Sequence, residues 1–177
     1  MNNLRAIRLS DLKIQASFLL KNLRNKPDST SESVKRFLQI PSFSLKSEEW
    51  LIENSGFVKL KHAYAVIAHE NGFHSWIDLK ETVIKNDCLY NPSCVGIVYA
   101  WFKNYSDAEE YFKKNGGYLL TFWRDYVVCG NEYITCIGLN QYEEQWQAIG
   151  YNWVHPKDNK AFQYLQKMAK TNYQSRQ

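Results

Sequence analysis

The sequence has 177 residues, is 45% hydrophobic and carries a formal net charge of +4 at pH 7. This length and apolar content suffice for one domain or two small ones, and the lack of an apolar run of about 18 residues predicts no membrane-spanning helix. Residues 1–5 precede no apolar signal region and the four cysteines form no CxxC pair, so we expect a cytoplasmic protein with reduced, buried thiols.

Residues 1–86 have helical periodicity and hold the whole charge excess, with 13 Lys and Arg against 9 Asp and Glu. The first helix is predicted to start at Ser10, because apolar residues recur on one face at Leu12, Ala16, Leu19, Leu20 and Leu23. Two more helices are predicted, one from a capping box of Ser29 and Glu32 and one from the N-cap Ser47. These helices indicate a bundle.

A helical hairpin over residues 59–80 organises this half of the chain. Its first helix is expected to bury one apolar face, made of Leu60, Ala63, Tyr64, Ile67 and Ala68. Asn71 and Gly72 tolerate the positive φ that closes a helix C-terminus. Ser75 and Asp78 then form an acidic variant of the capping box, which predicts the start of the second helix.

The character of the sequence changes at residues 87–93, where turn-forming residues interrupt the helical pattern. The β-branched and aromatic run over residues 95–102 predicts a strand buried on both faces. Ser106 and Glu109 make another capping box and predict a following helix. We therefore expect a second module that begins after residue 86.

Two further strands, over residues 118–123 and 126–129, are predicted to meet at a turn of Arg124 and Asp125. The remaining expected elements are a helix around residues 132–137, a short strand at 151–154 and a final helix introduced by Pro156 and Asp158. The predicted fold class is α+β: a helical bundle at 1–86, a small, mostly antiparallel sheet flanked by helices at 87–171, and a polar tail at 172–177.

Residues 10–80 contain the pattern Ala63-x-x-Val66-Ile67-Ala68-x-Glu70-x-Gly72-Phe73-x-Ser75-Trp76-x-x-Leu79-Lys80, preceded by Leu12-Lys13-x-Gln15-Ala16 and Lys59-Leu60. This pattern resembles a helical module of uncharacterised bacterial proteins, found beside ankyrin-repeat or glyoxalase-like domains. The stretch from Gly117 to Pro156 is similar to segments of bacterial α+β proteins without assigned function. The resemblance implies a helical bundle and transfers no catalytic residue.

Two groups of side chains raise the question of catalysis or metal binding. His62, His69 and His74 lie close in sequence, but a seven-residue gap on a helix places two rings about 10 Å apart, so no metal site is predicted. A cysteine-dependent enzyme is an alternative, with Cys129 or Cys136 as the nucleophile and His155 as the base. Buried structural cysteines explain the same residues, so no cofactor and no catalytic residue are predicted.

The second half of the chain is unusually rich in aromatic residues, which favour surfaces that are partly apolar and partly wet. A large-residue core around the sheet explains the same composition equally well. We predict a non-catalytic protein that binds a partner protein or a small-molecule ligand through Trp101, Trp123, Tyr126 and Trp153.

The basic first half suggests a second alternative, a nucleic-acid-associated helical module. Its contacts would come from Lys13, Lys21, Arg24, Lys35, Arg36, Lys59 and Lys61. A solvated helical face accounts for the same charges, so this alternative ranks below the aromatic one.

Overall fold

The computed structural model describes residues 6–25 and 32–176. The chain divides into two compact units, Met1–Val83 and Ile84–Gln177. The predicted boundary, after residue 86, falls three residues beyond this division. Helices precede a small antiparallel sheet flanked by helices, which confirms the α+β class. Among the described residues, none of the helices has both the length and the apolar character needed to cross a bilayer.

The first unit is built on helices α1 (Leu9–Arg24), α2 (Glu32–Leu38), α3 (Glu48–Glu53) and α4 (Leu60–Glu70), and it contains the start of α5 (Trp76–Asp87). Helix α1 packs against α4 and α2 through its predicted apolar face. It begins one residue before Ser10, without a side-chain cap. The predicted capping box at Ser29 lies outside the described residues.

Local capping chemistry sets the limits of the other helices in this unit. Ser47 Oγ accepts a hydrogen bond from the Trp50 backbone N–H at 3.1 Å, which confirms the predicted N-cap. Ser75 Oγ accepts from the Asp78 N–H, also at 3.1 Å, and donates to its carboxylate at 2.8 Å. These bonds confirm the acidic capping box.

The turn of the helical hairpin is a Schellman motif. Gly72 has φ of 77°, and the Phe73 N–H reaches back to the Ala68 carbonyl at 2.9 Å. The predicted apolar face of α4 is wrong at its first position, because Leu60 is exposed. Leu60 is the first residue of the helix, and the buried part of this face begins at Ala63.

The second unit contains strands β1 (Val98–Phe102), β2 (Tyr118–Phe122) and β3 (Asp125–Cys129) in the order β1-β3-β2, all antiparallel. Its helices after α5 are α6 (Tyr105–Asn115), α7 (Asn131–Cys136), α8 (Glu143–Ala148) and α9 (Asn159–Ser175). Helix α6 packs on one face of the sheet, over a core of Ala108, Leu119 and Val128. The other face carries Tyr118 and Phe122, which pack against Trp146 and Tyr133.

Several boundaries differ from their predictions. The β2–β3 turn is Trp123-Arg124, since Phe122 pairs with Asp125, and Trp123 adopts φ of 58°. Asn104, not Ser106, caps α6 by accepting from the Asp107 N–H at 3.0 Å. The Asn104 side chain, two residues before Ser106, accepts from a free N–H of the first turn, so the helix begins before the predicted box.

The end of the chain also differs from its prediction. The segment at 151–154 makes one parallel bridge, Asn152 with Leu119, instead of a strand. Helix α9 continues to Ser175 through most of the predicted polar tail, because Tyr173 is buried and its hydroxyl donates to Asp87 at 2.8 Å. Its N-cap is Asp158.

The cysteines behave in two ways. Cys88 and Cys129 are free and buried, as expected. Cys94 and Cys136 form a disulfide between Cα atoms 6.5 Å apart, so the expectation of four reduced thiols is wrong for this pair. Their 42-residue separation gives no local signal of the pairing.

Candidate functional site

The two edge strands of the sheet differ in whether another segment hydrogen-bonds to their outer side. The outer side of β2 is covered by the 151–153 segment, with the Leu119 N–H donating to the Tyr151 carbonyl and the Trp153 N–H donating to the Leu119 carbonyl, both at 2.9 Å. Across residues 6–25 and 32–176, no strand or bridge pairs with the outer side of β1. An uncovered edge strand offers backbone N–H and C=O groups to another chain.

Large apolar side chains stand exposed at this edge. Ile97, Tyr99 and Trp101 are 45%, 57% and 46% exposed, and we call these three residues the β1 surface. Residues 97–102 contain no charged side chain. Lys103, just beyond the strand, is paired with Asp125 at 2.7 Å. The surface therefore has an apolar centre with a charged end.

Tyr99 lies in a β-bulge of β1. The register advances two residues on β1, from Val98 to Ala100, against one residue on β3. The Tyr99 hydroxyl donates to Glu132 Oε2 at 3.4 Å and lies so close to Gly130 that a Cβ at that glycine would overlap it. The Glu132 carboxylate raises the pKa of the Tyr99 phenol, which therefore stays a neutral donor at physiological pH.

Trp101 is held by the core beneath it. Its ring meets Phe122 edge to face with centroids 5.4 Å apart, and Phe122 in turn contacts Tyr90 and Tyr133 at 5.4 and 5.6 Å. Tyr133 is fully buried and its hydroxyl donates to the Leu89 carbonyl at 2.7 Å. The exposed indole is thus oriented by packed aromatic rings before any partner binds.

The four aromatic residues predicted to bind do not form one surface. Trp101 pairs with Val127, whereas Tyr126 pairs with Phe102 on the α6 face and packs against Tyr105 at 5.8 Å. Neighbouring strand positions point to opposite faces, which separates Trp101 from Tyr126.

The other two predicted residues are engaged within the unit. Trp153 is 6% exposed and packs against Trp146 and Phe162, so its side chain lies in the core of the second unit. Trp123 is half-buried, and its indole N–H donates to Asp87 Oδ1 at 3.1 Å. Of these four described residues, Trp101 is the most exposed, at 46%.

Sequence reasoning missed Ile97 and Tyr99. The run over 95–102 does not form a strand buried on both faces: residues 95–97 form a 3-10 turn, and the burial of β1 alternates. Within β1, the large side chains of Tyr99 and Trp101 alternate with Val98, Ala100 and Phe102, and this alternation would have found them. Such alternation is typical of a strand with one covered face. Ile97 lies in the 3-10 turn before the strand and belongs to no strand pattern.

The residues of the cysteine-enzyme alternative are not arranged for catalysis. Cys129 is fully buried, and burial raises its pKa to about 12, so the thiolate is strongly disfavoured. Cys136 is bonded to Cys94. The His155 ring packs against Tyr105 with centroids 4.4 Å apart. These placements remove the support for a cysteine nucleophile.

One histidine of the hairpin, His62, has a structural role. His62 Nδ1 accepts a hydrogen bond from the Lys59 N–H at 3.0 Å, so the side chain caps α4. Its ring packs against Phe43, and burial lowers its pKa, with Lys61 and Lys59 adding to the effect. Within the described ranges, no group of three or more His, Cys, Asp or Glu side chains is placed to hold a metal ion.

The seven basic residues of the nucleic-acid alternative are only partly grouped. Arg36 makes two hydrogen bonds to the Glu70 carboxylate, at 2.6 and 2.8 Å, and Arg24 Nη2 donates to the Val58 carbonyl at 2.8 Å. The others are lysines: Lys13 and Lys21 on α1, Lys35 on α2, and Lys59 and Lys61 at the start of α4. Lys13 and Lys21, the two on α1, line a shared depression.

A larger depression lies between α8 and α9, with a volume of about 610 Å³. Its lining mixes both charges with small and polar side chains: Glu144, Gln145, Ala148, Asp158, Lys160, Ala161, Gln163, Tyr164 and Lys167. Asp158 is engaged as the N-cap of α9. Its charged lining residues carry both signs and favour no single class of ligand, so this depression is a weaker candidate than the β1 surface.

Comparison of the chain with protein-family models, with curated proteins and with solved structures gave no match in any of the three.

Proposed function

We propose that the protein is a non-catalytic interaction protein that binds an extended segment of a partner protein along β1. The partner segment would add a strand to the uncovered edge, using backbone hydrogen bonds for affinity. Tyr99 and Trp101 would anchor its side chains. The observation that carries the proposal is an uncharged edge strand with two exposed aromatic rings.

The composition of the β1 surface fits a protein partner. Interface centres are enriched in Tyr and Trp and poor in charge, with a polar rim. Glu132 and Lys103 supply that rim beside Tyr99 and Trp101. Because packed neighbours already hold the Trp101 ring, binding would cost little side-chain entropy.

Affinity capture with matched variants tests this proposal. A tagged wild-type chain should retain a partner that Trp101→Lys and Tyr99→Lys release, because each charge would be buried against the added strand. Truncation of one aromatic anchor typically costs about 2 kcal/mol, or about 30-fold in affinity. Tyr164→Lys is the control, since Tyr164 is as exposed as Trp101 but lies on α9.

All variants should keep the wild-type circular dichroism spectrum and unfolding midpoint. If the partner remains bound equally to Trp101→Lys and Tyr164→Lys, the β1 surface is not the binding site. Loss of binding in Tyr164→Lys alone would indicate that the partner binds at the α8–α9 depression, which Tyr164 lines.

We further propose that the chain is of bacterial type and that residues 10–80 belong to the helical module whose pattern they resemble. A small-molecule ligand and a nucleic acid are the competing partners, and neither is favoured by the β1 surface. The cytoplasmic location predicted from reduced thiols has less support, because the Cys94–Cys136 disulfide is typical of an oxidising compartment.

A further inference from the structure

Helix α1 carries a second apolar face, independent of the β1 surface. Ile14 and Phe18 are 52% and 58% exposed. At 100° per residue, they project almost opposite the stripe that packs against α2 and α4, where a surface helix is normally polar. A single exposed apolar residue needs no explanation, but two that are neighbours on one helix face indicate a contact surface.

These side chains line one of two adjoining depressions. One depression of about 290 Å³ is lined by Lys13, Ile14, Ser17, Phe18 and Lys21. The adjoining depression, of about 340 Å³, is lined by Ser17, Leu20, Lys21, Arg24, Asn25 and Leu60. Both include Ser17 and Lys21, so the two depressions adjoin along α1 and reach Leu60 in the first turn of α4; we call the pair of depressions the α1 groove.

The charge at the groove has one sign. Lys13, Lys21 and Arg24 contribute its cations, and no Asp or Glu occurs among its described lining residues. The hydrogen bond from Arg24 to the Val58 carbonyl fixes one of these cations in place. Asp11 lies beyond Phe18 by helical position, on the opposite flank of the apolar pair.

We propose that the α1 groove binds an acidic amphipathic helix of a partner protein. Ile14, Phe18 and Leu60 would receive the apolar side chains of that helix, spaced at i, i+4 and i+7, and the groove cations would pair with carboxylates flanking them. A second copy of this chain would place like charges together. Phosphates of a nucleic acid would meet an apolar floor, and a flat bilayer would not fill a groove.

Peptide binding to the full chain tests the proposal. The probe is a labelled helical peptide of about 15 residues with Leu at i, i+4 and i+7 and Glu along one flank of the Leu stripe, to face the groove cations and not Asp11. A matched peptide has Lys in place of each Glu. Fluorescence anisotropy should show saturable micromolar binding of the Glu peptide and none of the Lys peptide.

Variants locate the binding and its charge preference. Phe18→Ser should weaken binding of the Glu peptide by about tenfold or more, as expected for loss of a central apolar contact. Lys21→Glu should weaken binding of the Glu peptide and allow the Lys peptide to bind. Ile77→Ser is the matched control, because Ile77 is also an exposed apolar residue of the first unit but lies on α5.

Three results would overturn the proposal: no saturation with the Glu peptide, equal binding of both peptides, or unchanged binding in Phe18→Ser. Vesicles of phosphatidylserine and phosphatidylcholine and a single-stranded RNA are run in parallel. Binding of either one without binding of the Glu peptide would assign the groove to lipid or to nucleic acid and reject a helical partner.

Discussion

Removing the Cys94–Cys136 disulfide should destabilise the second unit by several kcal/mol. The bond closes a loop that contains all three strands and α6, and the linked positions have a sequence separation of 42. Loop-closure entropy for about 42 residues corresponds to about 4 kcal/mol at 25 °C, and measured effects are commonly about 2–4 kcal/mol. The Cys94→Ala/Cys136→Ala double variant should show a loss in this range.

Urea unfolding followed by tryptophan fluorescence measures the loss. Four of the six tryptophans, Trp101, Trp123, Trp146 and Trp153, lie in the second unit. Reductant should lower the wild-type midpoint to that of the double variant and leave the double variant unchanged. Cys88 and Cys129 are buried and free in the wild type and in the double variant, so the double variant shows whether reductant acts on anything besides the Cys94–Cys136 bond. A wild-type midpoint that does not respond to reductant would refute the role of the disulfide.

Three further predictions follow from individual side chains. Trp153→Ala should lower the free energy of unfolding by about 3–5 kcal/mol because it empties a core position, whereas Trp101→Ala should lower it by about 1 kcal/mol or less. Urea unfolding midpoints would show this difference. Equal losses would contradict the burial of Trp153 and the exposure of Trp101. Trp123→Gly should be about 1 kcal/mol more stable than Trp123→Ala, since only glycine adopts positive φ without strain, and an equal midpoint would argue against the φ of 58°. The lowered pKa of His62 means that the unfolded chain binds more protons below pH of about 6.5, so the free energy of unfolding should fall as pH drops below that value and level off below the folded-state pKa. His62→Gln should flatten that dependence, while the exposed His74→Gln should preserve it.

Features set by neighbouring residues could be predicted from the sequence. Ser47, Ser75 and Asp158 were identifiable as caps because each one bonds a backbone N–H three residues ahead. The Gly72 turn was equally local. The predicted turn at Arg124-Asp125 failed because Trp123 takes the left-handed conformation, supported by its backbone hydrogen bond to the Asn86 carbonyl at 3.3 Å.

The candidate site depends on which strands pair with one another, and the local residue pattern does not show this pairing. Trp101 and Trp153 are each followed by an aromatic or β-branched residue, Phe102 and Val154, yet one lies on an open edge and the other is buried beside the covered edge. The strand order β1-β3-β2 creates this difference, and residue patterns do not encode strand order. The disulfide depends on the same arrangement, because it links the turn before β1 to the end of α7.

Photo-crosslinking in the host cell tests the role of the β1 surface most directly. A benzoylphenylalanine residue is placed at Tyr99 in one variant and at Tyr164, as exposed control, in another. We predict that irradiation joins the Tyr99 variant to a distinct protein, that the Tyr164 variant forms no such product, and that adding Trp101→Lys abolishes it. Crosslinking of the same protein from both positions, or from Tyr164 alone, would contradict binding along β1.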